Sequence, residues 1–364
     1  MELDDLERTK KLDTLNMLAE IDGLPDQLSR AYELGKTSEK LGTSEVSISR
    51  VIIAGMGGSA IGADLLAAYV STPLDAGVAD MCPVPVFVHR DYGLPAFARG
   101  EGTLVVCSSH SGNTEETLDS FETARKSGCR LVAVCTGGEL AARANQARVP
   151  VWTFDHKGQP RAAVGFSFGL LLALFVRLGL IPDQADEIRS AVEAMQKSQA
   201  HLRPDIATVN NPAKRCAGQL MGRWVTVFGA GRLAPVARRF KTQINELAKA
   251  AANFEFIPEA DHNTLAGTLH PTEVLNPRMM NLFLRAPSDH PRNRLRIDLT
   301  KQHFMLEGTN TDFIDASGDG PLAHMWTLIL FGDYMAYYLA IAYGVDPTPV
   351  EALVNFKNAL KERN

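Results

Sequence analysis

The first 155 residues alternate short apolar runs with longer amphipathic segments. Apolar runs of about four to eight residues between turn signals predict buried strands, and longer periodic segments predict helices. The predicted strands are residues 51–54, 83–90, 103–109, 130–138 and 149–154, and the predicted helices lie within residues 1 to about 47, at 60–69, and in a segment that ends at Gly128. Strands that alternate with helices at this spacing predict an α/β fold with a doubly wound parallel sheet.

The same pattern begins again after an apolar helix predicted at residues 166–181. The stretch "WVTVFGAGRLAPVARRFKTQINELAKAAA" (224–252) predicts a strand, a glycine turn and a helix, and its "GAGRLA" echoes the earlier "GMGGSA". Further strands are predicted at 254–259, 280–287 and 294–300, and the last helices at 322–344 and 349–360. We therefore predict a degenerate internal duplication, with domains at residues 1–155 and 222–364 joined by a helical connection at 156–221.

Composition is typical of a globular protein with about two domains. The chain has 364 residues, of which 45% are hydrophobic and 22% charged. A formal net charge of −5 argues against nucleic acid or an anionic membrane as a partner. The densest basic stretch is Arg232, Arg238, Arg239 and Lys241, which we interpret as mainly a solvated helix face.

Two features of the sequence favour a cytoplasmic location. The N-terminus "MELDDLERTKK" is charged and unlike a signal peptide, and the apolar stretch 166–181 is interrupted by Arg177 and too short for a membrane span. None of the five cysteines forms a CxxC pair, and Cys107 and Cys135 lie in predicted strands. Buried free thiols are typical of a reducing compartment.

Two glycine-rich loops carry the candidate chemistry. "GMGGSA" follows the first predicted strand and "SSHSGNTEE" follows the third. Parallel sheets bind ligands beyond the carboxyl ends of their strands, and hydroxyls with backbone N–H groups at a helix N-terminus suit a compact phosphate. The candidate phosphate ligands are Gly57, Gly58, Ser59, Ser109, Ser111 and Thr114. Ordinary helix capping remains an alternative for Ser111 and Thr114.

A dinucleotide site is a competing interpretation of the first loop, because Gly55, Gly57 and Ala60 nearly match the GxGxxG spacing. That site needs an acidic residue at the end of the next strand, about 20 residues further on, to bind the ribose. The next predicted strand ends near His89, more than 30 residues after Gly55. This spacing disfavours an NAD-dependent oxidoreductase.

The two loops together look like the paired signatures of SIS sugar-phosphate isomerase domains. The similarity continues through "QPRAAVGFSFG" (159–169), "NELAKAAANFEFIPEADHNTLAG" (245–267) and "GDYMAYYLAIAYGVDPTPVEAL" (332–353). Over nearly its whole length the chain resembles the bifunctional phosphoglucose/phosphomannose isomerases. It departs from that family at His110, where Tyr is frequent, and at Ala60, where Gly is frequent, and residues 288–320 match little.

The resemblance implies an aldose–ketose isomerase without a redox cofactor or metal. Such an enzyme interconverts fructose 6-phosphate with glucose 6-phosphate and mannose 6-phosphate through a cis-enediol. By this resemblance Glu246 corresponds to the proton-abstracting glutamate, His262 to the ring-opening histidine and Arg161 to an arginine near the enediolate. Taken alone, a glutamate such as Glu246 is more often an ordinary exposed helix residue, and a loop histidine such as His262 is more often simply solvated.

The resemblance also implies an assembly and further substrate contacts. The family histidine reaches the site of the neighbouring subunit, which would make this protein a homodimer with shared active sites. Lys357 is a candidate substrate ligand, with Lys361 as the alternative, and Thr348 is expected near the sugar.

A non-catalytic sugar-phosphate sensor on the same fold is the second functional hypothesis. The presence of both Glu246 and His262 disfavours it, because a protein that only binds its ligand needs no base.

Overall fold

The computed structural model describes residues 3–39, 41–42, 45–71 and 82–363. It divides into two compact units. The first unit contains Gly23–Ala194 with Gly318–His324. The second unit contains the chain up to Asp22, Met195–Ser317, and the chain from Met325 onward. The domain limits at residues 155 and 222 stay a prediction.

Strands and helices alternate along most of the chain. The strands are β1 Arg50–Ala54, β2 Val86–His89, β3 Thr103–Ser109, β4 Arg130–Cys135, β5 Val151–Thr153, β6 Trp224–Ala230, β7 Ala252–Ile257, β8 Met279–Arg285 and β9 Asn310–Asp315. The helices are α1 Leu6–Leu12, α2 Met17–Asp22, α3 Leu24–Thr37, α4 Gly57–Val70, α5 Glu115–Lys126, α6 Gly138–Gln146, α7 Val164–Arg177, α8 Ala185–Leu202, α9 Pro212–Leu220, α10 Ala234–Leu247, α11 Thr272–Arg278, α12 Pro291–Leu306, α13 Pro321–Tyr343 and α14 Glu351–Lys361. Short 3-10 turns connect several of them.

The two sheets confirm the predicted fold class. The first sheet has the strand order β2-β1-β3-β4-β5 and the second β7-β6-β8-β9, and every pairing is parallel. In each sheet the first strand in the chain is flanked by the second and the third. Every residue of β3 is buried, which explains its uninterrupted run of small and apolar side chains. The repeated order is that of the degenerate duplication expected from "GMGGSA" and "GAGRLA".

The strand predicted at residues 294–300 is wrong, because these residues lie within α12. The alternation of Leu295, Ile297 and Leu299 imitates a strand. In the structure Ile297 packs in the core of the second unit, whereas Leu295 and Leu299 lie on the exposed side of the helix. The fourth strand of the second sheet is instead β9, an edge strand whose polar start gives no strand signal.

Two apolar helices form much of the interior. The helix predicted at 166–181 is α7, which is buried over most of its length and packs against α3. Of the described residues, α13 alone forms a helix long and apolar enough to cross a membrane, with a mean hydropathy of 1.3. Because 89% of that stretch is buried inside the structure, we interpret α13 as a core helix.

The basic stretch is not the solvated face that the sequence suggested. Arg232 and Arg239 are buried, and Arg239 forms an ion pair of 2.7 Å with Asp333 of α13. A buried arginine needs such a partner, because its charge cannot be left without compensation in the interior. The expectation for Cys107 and Cys135 is confirmed, since both are buried free thiols.

Candidate active site

The strand order of the first sheet fixes where a ligand can bind. Because β1 lies between β2 and β3, the chain leaves the sheet in opposite directions after β1 and β3. Such a switch point opens a crevice at the carboxyl edge of a parallel sheet. The loops that follow β1 and β3 are the two glycine- and hydroxyl-rich loops identified in the sequence.

The loop after β1 places backbone N–H groups at the start of α4. Gly57, the first residue of this helix, has φ +50°, a conformation that glycine adopts without steric cost. Met56 at the N-cap has no side-chain oxygen to satisfy the first N–H groups. A Cβ on Gly58 would lie 2.5 Å from the carbonyl oxygen of Pro160, so only glycine permits this approach.

The loop after β3 presents three hydroxyl groups. The side-chain oxygens of Ser109 and Thr114 are 2.9 Å apart, and Ser111 accepts the N–H of Asn113 at 3.2 Å. Thr114 is the N-cap of α5, yet in this described segment its side chain makes no capping hydrogen bond. Helix capping therefore does not account for Thr114. The hydrogen bond between Ser109 and Thr114 uses the proton of only one of the two hydroxyl groups. The proton of the other hydroxyl group remains available to an anion.

Both loops and Arg161 belong to one cradle within the first unit. The buried hydroxyl of Ser59 accepts the N–H of His110 at 3.2 Å, which ties the loop after β1 to the loop after β3. Arg161 is buried in the 3-10 turn Pro160–Ala162, whose backbone packs directly against Gly58. Hydroxyls, helix N–H groups and a guanidinium are the donors that a phosphate dianion requires.

A dinucleotide site needs an acidic residue at the end of the second strand, and this protein has a basic residue there. Strand β2 ends at His89, and the next residue, Arg90, forms an ion pair with Asp64 of α4. Arg90 also donates to the carbonyl oxygen of Ala60 at 3.0 Å. A cation paired within the protein cannot replace the carboxylate that binds a ribose.

Glu246 lies in the last turn of α10 in the second unit and is half-buried. Arg239, Gln243 and Glu246 are spaced by four and three residues, so they share one side of the helix. Arg239 donates to the buried Asp333 at 2.7 Å, which fixes α10 against α13. Burial raises the pKa of the Asp333 carboxyl, and the charge of Arg239 opposes this rise.

His262 ends the 3-10 turn Glu259–His262 and is exposed. The neighbouring Asp261 attaches this turn to α12, since its carboxylate accepts from Arg296 at 2.9 Å and from Thr300 at 2.7 Å. The imidazole is thus held at the surface of the second unit by a firmly anchored turn.

The remaining candidates lie near the C-terminus. Thr348 is buried, and its N–H donates to Asp346 at 2.9 Å. Lys357 and Lys361 are exposed and four residues apart on α14, so both lie on one side of that helix. The structure gives no reason to prefer one of them.

Known proteins match the chain over almost its whole length. Residues 209–360 match the family model of the bacterial phospho-glucose isomerase C-terminal SIS domain. A bifunctional phosphoglucose/phosphomannose isomerase of Caldicellulosiruptor bescii is 38% identical over 347 residues, which are 95% of this chain and 99% of the relative. The chain belongs to the bifunctional phosphoglucose/phosphomannose isomerase family.

Two further matches agree with this family. A phosphoglucose/phosphomannose isomerase of Aquifex aeolicus is 32% identical over 312 residues, covering 86% of this chain and 90% of the relative. Among solved structures, a glucose-6-phosphate isomerase like protein from Thermus thermophilus superposes with a TM-score of 0.61 at 19% identity, covering 98% of this chain and 99% of that one. The latter shows the shared fold.

The corresponding loop of the second unit does not have the features of a phosphate cradle. Gly231 follows β6 with φ +52°, matching Gly57. The next two residues are Arg232 and Leu233, both buried, where the first unit has Gly58 and Ser59. A guanidinium side chain and an isobutyl group thus replace an open backbone and a hydroxyl.

Sequence reasoning missed several parts of the site region. The Asp333 pair had a signal, because a lone aspartate within the apolar run 322–344 needs a buried partner. No signal in the sequence indicates the hydrogen bond of 2.9 Å between the rings of His110 and His156, because these residues are 46 positions apart. This hydrogen bond fixes the side chain of His110.

Proposed function

We propose that the protein is an aldose–ketose isomerase that interconverts fructose 6-phosphate with glucose 6-phosphate and mannose 6-phosphate. The observation that carries this proposal is the 38% identity to a bifunctional phosphoglucose/phosphomannose isomerase over 99% of that relative. The cradle of the first unit supports it, because its donors suit the phosphate group that all three sugars share.

In the proposed reaction the phosphate anchors the sugar at Gly57, Gly58, Ser59 and the hydroxyls of Ser109, Ser111 and Thr114. Anchoring converts the proton transfer into a step within one complex, and this lowers its entropic cost. The charge-assisted hydrogen bonds to the phosphate each contribute about 1.5–3 kcal/mol. Such an anchor is independent of the configuration at C2, so it serves both aldoses.

Glu246 is the proposed base. Its carboxylate removes the C2 proton of the open-chain aldose, the C2 electron pair forms the C1–C2 double bond, and O1 takes up the negative charge. The proton on O2 then moves to O1, and return of the first proton from Glu246 to C1, as the carbonyl group forms at C2, gives the ketose. In reverse, delivery of a proton to one or the other face of C2 gives the glucose or the mannose configuration. The guanidinium of Arg161 stabilises the enediolate charge.

His262 is proposed to open the sugar ring in the site of a second copy, which makes the active protein a homodimer. The exposure of its imidazole supports this role. The second unit also exposes apolar side chains that a partner chain would cover. These are Leu295, Leu299, Met305 and Leu306 on α12, and Leu353, Val354, Phe356 and Leu360 on α14. Thr348 and either Lys357 or Lys361 are proposed to contact the sugar, and the cytoplasm is the proposed location.

A direct assay tests this function against the alternative of a sugar-phosphate sensor. Purified protein is incubated with fructose 6-phosphate, and glucose 6-phosphate and mannose 6-phosphate are measured separately with coupled dehydrogenases. We expect both aldoses to form. Tight binding of fructose 6-phosphate without either product would support the sensor and contradict the proposal.

A further inference from the structure

One lysine side chain joins the end of α10 to the loop that carries Thr348. Lys249 lies two residues beyond Leu247, the last residue of α10. Its Nζ donates to the carbonyl oxygen of Leu247 at 3.0 Å and to the carbonyl oxygen of Asp346. Asp346 in turn accepts the N–H of Thr348 at 2.9 Å. The ammonium therefore connects the helix end that carries Glu246 with the segment that carries Thr348.

The backbone at Lys249 is strained. Its φ is +54°, in the left-handed region that glycine normally occupies after a helix. The turn is closed by Asn245, whose side chain donates to the carbonyl oxygen of Ala250 at 2.8 Å. Glycine would adopt this backbone conformation with less strain, so we expect the lysine side chain to make an interaction that glycine cannot make.

The segment around Asp346 is attached on its other side as well. The second carboxylate oxygen of Asp346 accepts the hydroxyl of Thr14, while the first holds the N–H of Thr348. Asp346 thus receives Lys249 at its main-chain carbonyl and holds Thr348 through its side chain. A shift of Lys249 would move two groups with proposed roles in the same reaction.

We propose that Lys249 is a positioning residue that sets the placement of Glu246 relative to Thr348. The inference rests on the proposed function, in which Glu246 transfers the proton and Thr348 contacts the sugar. A base must reach C1 and C2 of the substrate in turn, and a displacement of about 1 Å can cost about a hundredfold in rate. The balance between the two C2 epimers depends on the same placement, because it decides which face of C2 receives the proton.

Lys249 could instead serve only to cap the helix, since a cation near a helix C-terminus stabilises the last carbonyl groups. Two variants separate these roles. Lys249→Gly removes the ammonium and relieves the strained φ, whereas Lys249→Met removes the ammonium and keeps the strain. Lys126→Met is the matched control, because Lys126 is an exposed lysine in the last turn of α5 in the first unit.

The measurements are kcat and KM for fructose 6-phosphate, the ratio of glucose 6-phosphate to mannose 6-phosphate formed initially, and the thermal midpoint. We expect both Lys249 variants to lose at least about tenfold in kcat. KM should stay within about threefold, because the phosphate anchor lies in the first unit. The product ratio should change in both, Lys249→Gly should melt no lower than Lys249→Met, and Lys126→Met should resemble the wild type.

Wild-type kcat and product ratio in Lys249→Gly and Lys249→Met would overturn the inference. The inference would also be overturned if the product ratio were unchanged and the loss of activity only matched the loss of folded protein. Glu246→Gln, measured in parallel, separates this outcome from a failure of the proposed function. If Glu246→Gln is inactive and the Lys249 variants are normal, only the role of Lys249 is wrong. If Glu246→Gln turns over normally, the base assignment is wrong and the inference falls with it.

Discussion

The hydroxyls of Ser111 and Thr114 belong to the loop that follows β3, and neither serves as a side-chain cap in the described α5. We expect the double variant Ser111→Ala with Thr114→Ala to raise KM for fructose 6-phosphate on the order of a hundredfold, because two hydrogen bonds to a charged phosphate are lost. The fall in kcat should be much smaller. Steady-state kinetics measure both, with Thr123→Ala in the same helix as control. An unchanged KM would mean that these hydroxyls do not bind the substrate.

The carboxyl of Asp289 predicts a pH dependence of stability. Burial raises its pKa to about 6, and Asp289 accepts the N–H of Ala286 at 2.8 Å. Because this value lies above the unfolded pKa of about 3.9, the folded protein binds the proton more tightly than the unfolded chain. The carboxyl therefore lowers the free energy of unfolding progressively as pH rises from about 4 to about 6.

Removing this charge should abolish the penalty. We expect Asp289→Asn to be more stable than the wild type at pH 7.5, with a difference that shrinks toward pH 4. Urea unfolding at about pH 4.5, 5.5 and 7.5 measures it. The exposed Asp205→Asn is the control. A stability difference that does not vary with pH would contradict the raised pKa.

At the scale of elements, the turn between β1 and α4 contains two adjacent glycines with different constraints. Gly57 has φ +50° and open space around its Cα, whereas a Cβ on Gly58 would collide with backbone at 2.5 Å. We expect Gly57→Ala to cost about 1 kcal/mol of stability. Gly58→Ala should cost more, and it should also lower activity further because it pushes the turn carrying Arg161 from the loop. Equal effects of both substitutions, in unfolding and kinetic measurements, would contradict this account.

Strands that are buried over nearly their whole length could be predicted from the sequence, whereas an exposed helix face and an edge strand could not. β1, β3 and β4 are nearly continuous buried runs between turn residues, so their positions were evident. Leu295 and Leu299 of α12 are exposed, so packing in the core does not explain why these positions are apolar. Their alternation predicts a strand where the structure has a helix. The edge strand β9 begins with Asn310, Thr311 and Asp312, which have no apolar alternation.

The sequence indicated which loops form the candidate site, but it did not indicate the contacts that hold them together. Glycine spacing and hydroxyl density pointed to the loops after β1 and β3, and those loops share one edge of the sheet. The link from Ser59 to His110 and the approach of Pro160 to Gly58 join residues far apart in the chain. No local periodicity reports such contacts. The roles of Glu246 and His262 rested on family resemblance, since a half-buried glutamate and an exposed histidine are common in any helix or loop.

At the scale of the whole molecule, the proposed homodimer makes a prediction about mixed subunits. Glu246→Gln and His262→Ala should each be nearly inactive. If His262 serves the neighbouring site, heterodimers contain one intact site, so mixing the two variants under subunit exchange should restore activity. The control is each variant mixed with itself. Absence of recovery despite proven exchange would place both residues in one chain's site or remove one of them from the mechanism.

The central claim is that this chain moves a proton on a sugar phosphate and that Glu246 carries it. The most direct test is exchange of the C2 proton of glucose 6-phosphate with deuterated water, followed by NMR for the wild type and Glu246→Gln, with binding measured by calorimetry. We expect the wild type to exchange the proton, and the variant to bind within a few-fold of it. The variant's exchange and turnover should both fall by about 10²–10⁴, the range for general base catalysis. Normal exchange in Glu246→Gln, or tight binding without any exchange in the wild type, would contradict the account.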